Sequence, residues 1–478
     1  MTEKSKAKYF LCLDQGGHAS RALVFDERGE ICYQSFVAIE TQSRENLCVE
    51  HDAQHLLDSV RQCIDDVLQQ MGHNAHHIQS AGLATQRSSI VCWDKISHEI
   101  LSPVISWQDR RAIEFVTNLE DHAADIYSRT GLVLNPHYGA SKMHWALQHL
   151  PQVQTAYTNQ SLVIAPLSSF LLFYLLQEHP LLVDPANGSR TQLINQQTGN
   201  WDDELLQLFQ IPASVLPDIS FNNHCFGHIN KQGYNIPLNF CTGDQSAALF
   251  ANSPLDQETI YINAGTGVFI QSLWPTQQAT PQGLLRSTVL RTESQNLSVV
   301  EGTVNGGGRA LQWFAQHFDF EESEIDQLIR ASNNSLLFIN SVGGLGAPYW
   351  QANLEPRFNQ NSINLEDGLK AIVESIVFLI VKNIEAMSET HAIKQIFLSG
   401  GLANSHYFSQ SLADLSQIPI HIQQQKEATA FGLLRLLVPQ LNPQIAASKI
   451  CFPEKNDVLS TAFSKWNQLI NQAISHMP

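Results

Sequence analysis

The sequence predicts an α/β fold made of two related halves, and three observations carry that expectation. A strand–glycine–strand pattern occurs twice, around Asp14 and around Gly265. Each occurrence is followed by a segment with apolar residues at three-to-four spacing. The 478 residues, 43% of them hydrophobic, are enough to bury more than one core.

The first half opens with an apolar run, Tyr9 to Leu13, that ends in Asp14-Gln15-Gly16-Gly17. Arg21 to Asp26 follows, then a turn at Glu27-Arg28-Gly29 and a third strand from Glu30 to Ile39. Ala53 to Gln70 then reads as an amphipathic helix. Further strands are expected at Gly82 to Thr85 and Ile100 to Ser106, and the strand in Asn239 to Gly243 runs into a small-residue helix at Asp244. In the second half, Thr259 to Asn263 enters Ala264-Gly265-Thr266-Gly267 and returns as Val268 to Leu273. Asn305-Gly306-Gly307-Gly308 opens a helix at Arg309 to Gln316, and Glu366 to Glu385 is a second helix. Ile396 to Ser399 is a strand that meets Gly400-Gly401 and leads into a helix at Tyr407 to Leu415. The boundary between the halves is placed near Ser253-Pro254, giving domains 1–253 and 254–478.

Composition narrows the function. Against 28 Lys and Arg stand 45 Asp and Glu, a formal net charge of -17 with no basic cluster, which argues against a nucleic-acid partner. Backbone amides and a divalent cation can still hold phosphates. The longest apolar runs, Phe170 to Leu176 and Ile376 to Val381, are too short to span a bilayer, so no membrane partner is expected and a cytoplasmic location is. The 8 Cys are scattered without CxxC spacing and read as reduced core residues. No GxxxxGK[ST] loop occurs, and no GxGxxG follows the first strand, so neither a P-loop nor a Rossmann dinucleotide site is indicated. His73, His76 and His77 lack cysteine or carboxylate companions and are read as a surface loop.

Asp14, at the mouth of a glycine turn, suits a magnesium ligand beside Gly16 and Gly17, which leave room for phosphate oxygens; a plain hairpin turn accounts for the same residues. Asp244 suits a base that orients a substrate hydroxyl and takes its proton during phosphoryl transfer, and equally a helix cap. Gln86-Arg87 and Trp107-Gln108-Asp109-Arg110-Arg111 would wall a polyol or sugar pocket, with Arg donors for hydroxyls and Trp for a carbon face; Arg110 and Arg111 also fit a solvated helix start.

Taken together these segments resemble the FGGY carbohydrate kinases, and within them the members that act on glycerol. The match is carried by Asp14-Gln-Gly, Gln86-Arg87 with Trp93-Asp94, Trp107-Gln-Asp-Arg-Arg and Thr130-Gly-Leu-Val-Leu-Asn-Pro in the first half. Gly243-Asp-Gln-Ser-Ala-Ala-Leu-Phe, Gly265-Thr-Gly, Gln312-Trp313, Gly344-Leu-Gly-Ala-Pro-Tyr-Trp350 and Gly400-Gly-Leu-Ala-Asn404 carry it onward, in order along nearly the whole chain. The resemblance implies two actin-like or ribonuclease-H-like domains of the sugar kinase/Hsp70/actin superfamily with a nucleotide cleft between them. It implies ATP and Mg2+ as cofactors and transfer of the gamma phosphoryl to a hydroxyl of glycerol or a related small polyol or sugar. Asp244 falls on the catalytic base and Asp14 on the carboxylate near the metal. Gly265, Thr266, Gly267, Gly308, Gln312, Gly400, Gly401 and Asn404 fall on nucleotide positions; Arg87, Trp107, Asp244, Gln245 and Phe269 fall on substrate positions.

The chain departs from that pattern at Ser88, at His137 and in the first phosphate loop. Ser88 stands where Glu follows the Gln-Arg pair, and His137 stands at the place of a Tyr, with Tyr138 adjacent, so two polar contacts to glycerol differ. In the first phosphate loop the order is Gly16-Gly17-His18-Ala19-Ser20, without the usual run of hydroxyl donors, leaving backbone amides and His18 with Ser20 to serve. A ketose such as xylulose as acceptor, a catalytically weakened nucleotide sensor, and an ATPase of the actin or chaperone type are the alternatives. The acidic two-domain chain is compatible with a homodimer or homotetramer.

Overall fold

The structure is a computed structural model that describes residues 7–475 except 46, 253, 276–277, 333–335, 390, 424–426 and 442–448. The expected boundary residue Ser253 lies outside the described residues. The chain forms two compact units that are not separated by a single cut: the first is Met1–Pro254 with Ser287–Ser298 and Glu427–Gln444, the second Leu255–Arg286 with Val299–Lys426 and Ile445–Pro478.

In the first unit β1 (Tyr9–Gln15), β2 (Ala19–Asp26) and β3 (Ile31–Ala38) form an antiparallel meander, the turn after β2 being closed by Gly29 at φ +83. Helix α1 (Ala53–Met71) follows, capped by the Asp52 carboxylate accepting from the His55 amide, and its Leu56, Leu57, Val60, Ile64, Val67 and Leu68 are buried against the sheet in one core. Each such side chain contributes about 1.5–3 kcal/mol by leaving water. Strand β4 (Ile78–Thr85) lies parallel to β1. After helix α2 (Gly139–His149), β5 (Gly227–Lys231) and β6 (Tyr234–Gly243) complete a six-stranded sheet of order β5-β6-β4-β1-β2-β3, in which β6 is parallel to β4. Helix α3 (Asp244–Phe250) starts where β6 stops.

One expected strand is much shorter than its sequence suggests. Of Ile100 to Ser106 only Val104–Ile105 pairs as a strand. Pro103 has no amide to give, and the Ser102 hydroxyl takes the Cys92 amide instead, so the ladder is interrupted there and resumes only as an isolated bridge between Ile100 and Trp93.

The second unit repeats the plan. β7 (Thr259–Ala264) and β8 (Val268–Trp274) are the antiparallel hairpin, followed by β9 (Leu285–Arg291) and β10 (Asn296–Val304), whose connected ends, Ser287–Ser298, are counted with the first unit. Helices α4 (Gly308–Ala315) and α5 (Leu365–Ser388) precede β11 (Gln395–Ser399), which is parallel to β7. Then come α6 (His406–Ser416), β12 (Ile420–Ile422), parallel to β11, and β13 (Lys449–Cys451), antiparallel to β12. The sheet order is β9-β10-β8-β7-β11-β12-β13. Both sheets therefore build outward from a hairpin whose first strand takes a parallel neighbour on its other side. The central helix α5 is apolar on nearly every side because sheet and helices cover it; Ile372, Ile376, Phe378 and Ile380 all sit in the second core. All eight cysteines are free thiols.

Candidate functional site

Three parallel neighbours of the first sheet, β1, β4 and β6, end on one edge. Asp14 lies at the end of β1 beside Ala84, Gln86-Arg87 follow β4, and Asp244 follows Gly243, which pairs with Thr85. Two strand spacings separate the carboxylate-bearing strands, about 10 Å, with Arg87 issuing from the strand between them. Ligands of such sheets gather beyond the carboxyl ends of the strands.

Asp14 is 5% exposed, and its Oδ2 accepts from Arg21 Nη1 at 3.2 Å, its register partner on β2. Burial and then the Asp244 charge push its pKa up to about 7, Arg21 working against them and Glu427 with them. Asp244 is half-buried. Burial raises its pKa as well, while Arg87, the Gln245 amide and Arg190 oppose the rise. The capping residue of α3 is Gly243, which makes no side-chain cap; Asp244 Oδ1 takes the amide of its own neighbour, Gln245, at 2.7 Å. Asp244 is therefore a first-turn carboxylate and not the cap.

The Arg87 stem lies so close under the strand-to-helix joint that a Cβ on Gly243 would meet its Cγ and Cδ at 2.6 Å. A chain of hydrogen bonds runs from the glycine turn to the aromatic wall. Gln15 Nε2 donates to Gly16 O (2.7 Å), Gln86 Nε2 to Gln15 Oε1 (3.3 Å), Ser89 Oγ to Gln86 Oε1 (3.0 Å), and the Trp107 amide to Ser89 Oγ (3.0 Å). The Trp107 ring meets the His137 ring edge-on at 5.6 Å. His137 is kept neutral, its pKa far below the usual value through burial and then the charges of Arg110, Lys142, Arg190 and Arg87. Ser88 is buried in a left-handed conformation, φ +64, and its Oγ has no hydrogen-bond partner.

In the glycine turn the Gly16 amide donates to Ala19 O at 2.9 Å, and Gly17 is open, a Cβ there meeting nothing nearer than Trp107 Nε1 at 3.8 Å. The His18 side chain is exposed. Ser20 is turned inward, 1% exposed with its Oγ on Ser59 Oγ at 2.7 Å, so its hydroxyl is withdrawn from the turn. Nor are Arg110 and Arg111 a solvated helix start. Arg111 binds both Asp109 oxygens and Glu50 Oε1 with a side chain 5% exposed, Arg110 donates to the Trp107 and Asp109 carbonyls, and the helix begins only at Ile113.

In the second unit three glycine loops meet at the end of β7. The Gly308 amide donates to Gly265 O (2.8 Å) and the Arg309 amide to Thr266 O (2.9 Å), seating the start of α4 on the hairpin turn. A Cβ on Gly307 would lie 2.9 Å from Gly265 O, and one on Gly400, at φ +95, 2.4 Å from Ala264 O. Only glycine permits that backbone-on-backbone approach. Thr266, Gln312, Gly400, Gly401 and Asn404 are exposed around this junction, and nothing lies within 4 Å of a Cβ placed on Gly401. Phe269, half-buried on β8, pairs with Asn263.

Asp326 anchors the loop after Gly400. Its carboxylate accepts from Ser405 Oγ (2.6 Å), the His406 amide (2.8 Å) and the Tyr407 amide (3.2 Å) at the start of α6. Burial alone would raise its pKa, but these donors outweigh it and hold it below the ordinary aspartate value. Replacing Asp326 with Ala should cost about 1 kcal/mol near neutral pH, the usual loss of a helix cap. A carboxylate with a depressed pKa stabilises the fold above its unfolded pKa and ceases to as pH falls through its folded one. The melting difference between Asp326→Ala and the wild type should therefore shrink in acid; a difference that is constant with pH would contradict it.

Lys142, Arg190, Gly432 and Glu427 were not singled out by the sequence, though all bear on this edge. Lys142 was the most findable, a lone lysine amid Ala140, Met143 and Ala146 at a helix start. The donor set at Asp14 and Asp244 is two hard oxygen ligands, both with pKa values raised by burial and that of Asp14 also by the Asp244 charge, an arrangement that a small divalent cation would relieve. Among the described residues no group of three or more His, Cys, Asp or Glu could hold a metal, and His73, His76 and His77 form a short turn with His76 against the Tyr234 ring. Two carboxylates suit magnesium, which keeps most of its ligands as water and phosphate oxygen.

Residues 9–251 match the FGGY family of carbohydrate kinases, N-terminal domain, and residues 260–438 match the C-terminal domain of the same family. A glycerol kinase of Acaryochloris marina is 30% identical over 445 residues, covering 90% of this chain and 89% of its own. Among solved structures, Plasmodium falciparum glycerol kinase with ADP superposes with a TM-score of 0.88 at 22% identity, over 98% of both chains. A ligand-bound xylulose kinase from Lactobacillus acidophilus superposes with 0.85 at 20% identity, over 98% of this chain and 99% of its own.

Proposed function

The chain belongs to the FGGY family of carbohydrate kinases, phosphotransferases with an alcohol group as acceptor, and from that premise we propose that it moves the gamma phosphoryl of ATP to a hydroxyl of glycerol or a closely related small polyol. The observation that carries the proposal is the edge of the first sheet: two carboxylates whose pKa values burial raises, that of Asp14 further by the charge of Asp244, flanking Arg87.

Asp244 is the base. Its carboxylate accepts the proton of the attacking hydroxyl, and its raised pKa brings it nearer the value at which a base is effective at neutral pH. Arg87 and Gln245 hold the neighbouring hydroxyls, and Trp107 offers its ring to the carbon face. His137 and Ser88 complete the acceptor side. Asp14 is the protein's ligand to magnesium, which when bound supplies charge neutralisation on the phosphate oxygens. Gly17 and His18 offer backbone amides to the phosphates, Gly16 closing the turn through its own amide on Ala19 O, and Gly265, Thr266, Gly267, Gly308, Gln312, Gly400, Gly401 and Asn404 receive the nucleotide. The inward turn of Ser20 leaves it a structural part.

The test is ADP release from ATP and magnesium across a panel of polyols and ketoses, glycerol included. One acceptor that stimulates turnover supports the proposal; none doing so while ATP binds would remove it and favour a nucleotide sensor. Ser88 supports a second reading, a ketose acceptor, because a carboxylate acceptor for one glycerol hydroxyl is missing there and the site has an unpartnered hydroxyl in its place. Greater turnover with a ketose than with glycerol would decide for it.

The open space at Gly17 gives a further expectation. Gly17→Thr should fold normally, since its Cβ meets no atom within 3.8 Å other than Trp107 Nε1. It adds a hydroxyl donor to the phosphate loop and should raise kcat by about 100-fold, the lower end of what one aimed donor contributes. An unchanged or lower kcat at unchanged melting temperature would show that the backbone amides already suffice.

A further inference from the structure

We propose that Lys142 is a positioning residue that fixes the acceptor-side wall by tying the backbone of Ser88 to that of His137 and Tyr138. The proposal rests on the acceptor-kinase reading above for what the wall is for, but not for the tie itself.

Lys142 sits one turn into α2 and is 1% exposed. Its Nζ donates to Ser88 O at 3.0 Å, to Tyr138 O at 3.3 Å and to His137 O. An ammonium has three N–H donors, and three carbonyls receive them. None of these acceptors is a carboxylate. Burial, and after it Arg110 and Arg111, push its pKa well below the usual lysine value, with Asp109 opposing. The first turn of a helix is also the wrong end for a cation. A methionine would fill the same space without these penalties, so packing does not explain the residue; what it holds does.

What it holds are the two segments that carry Ser88 and His137. Ser88 is kept at φ +64, a left-handed conformation that is unfavourable for a non-glycine residue, and its carbonyl is bound by Lys142. Next to it, Ser89 receives the Trp107 amide and donates to Gln86, so the direction of the 88–89 peptide governs where Trp107 starts. On the other side His137 meets the Trp107 ring and Tyr138 carries Arg190 over its own ring at 5.2 Å. One buried ammonium thus sets the spacing between the Arg87-Ser88 segment and the His137-Tyr138 segment. With all three N–H bonds committed to backbone and no route to solvent, Lys142 acts through these residues and does not touch the acceptor.

The experiment compares wild type with Lys142→Met, which keeps the bulk and removes every donor, and Lys142→Gln, which returns two. The acceptor KM should rise about tenfold or more in Lys142→Met and by less in Lys142→Gln, with the ATP KM within about twofold of wild type in both. Amide hydrogen exchange of the full chain should quicken in peptides covering 86–90 and 135–139 and not in β1 or β6. An acceptor KM that does not move, an ATP KM that rises in step, or exchange that quickens throughout the first unit would overturn the proposal. Should Lys142→Met not fold, Lys142→Gln is read by the same criteria. If the wild type turns over no acceptor, the kinase reading fails by itself, and the exchange pattern still decides the tie.

Discussion

Asp244→Asn should lower kcat by about 10²–10⁴-fold, the range that a positioned general base contributes, while ATP binding changes only slightly. The substitution is nearly isosteric, and the amide oxygen can still accept from the Gln245 amide at the start of α3, so the joint between β6 and α3 stays in place. What is lost is the group that takes the hydroxyl proton. Asp14 should respond too. Part of its rise to about 7 comes from the Asp244 charge, so in the variant its pKa falls and the acid limb of any residual pH–rate profile moves to lower pH. In the wild type that limb belongs to the two carboxylates jointly, and in the variant to Asp14 alone. ADP release with the best acceptor, alongside ATP binding by calorimetry, checks both parts. Undiminished turnover would mean that the proton goes elsewhere and that the three-strand edge has been given the wrong role.

The parts of this site legible in the sequence are those whose signal is local. Asp14 and Asp244 each end an apolar strand, and Gly265, Gly307 and Gly400 mark turns where one backbone lies against another, so strand length and turn chemistry point to them directly. The repeat of the hairpin also foretold that two sheets would share a plan, as they do. Arg111 was not legible, because its burial depends on Glu50, 61 residues earlier, being brought beside Asp109. Ile100 to Ser106 reads as a strand by composition, and a proline with a neighbouring serine hydroxyl interrupts the ladder. Ser20 reads as a loop donor until Ser59 on α1 is seen to claim it. Each of these failures is a tertiary contact overriding a local preference.

The return of the late segment Glu427–Gln444 to the first unit is the feature hardest to foresee, and it leads to the second large effect: Gly432→Ala should lower stability by about 2–4 kcal/mol. Gly432 lies in the helix Ala428–Leu437, and a Cβ there would fall 1.7 Å from Ala247 O and 2.9 Å from the Ala251 amide nitrogen. Those atoms are the backbone of α3, the helix that begins with Asp244, so a methyl group can be admitted only by moving one helix away from the other. The same segment packs Leu433 over Gly82 of β4, sets Phe431 edge-on to Phe25 at 5.1 Å, and brings Glu427 within 4.0 Å of Arg21, the partner of Asp14. Strands β1, β2, β4 and helix α3 thus share one support, supplied from more than 170 residues beyond Asp244. Displacing α3 by even 1 Å carries the Asp244 carboxylate with it, and a misplacement of that size can cost about 100-fold in rate. Thermal unfolding and turnover should fall together in Gly432→Ala. A variant that melts with the wild type would show that the two helices are not in backbone contact, and one that melts early yet keeps full kcat would show that α3 holds its place without this support.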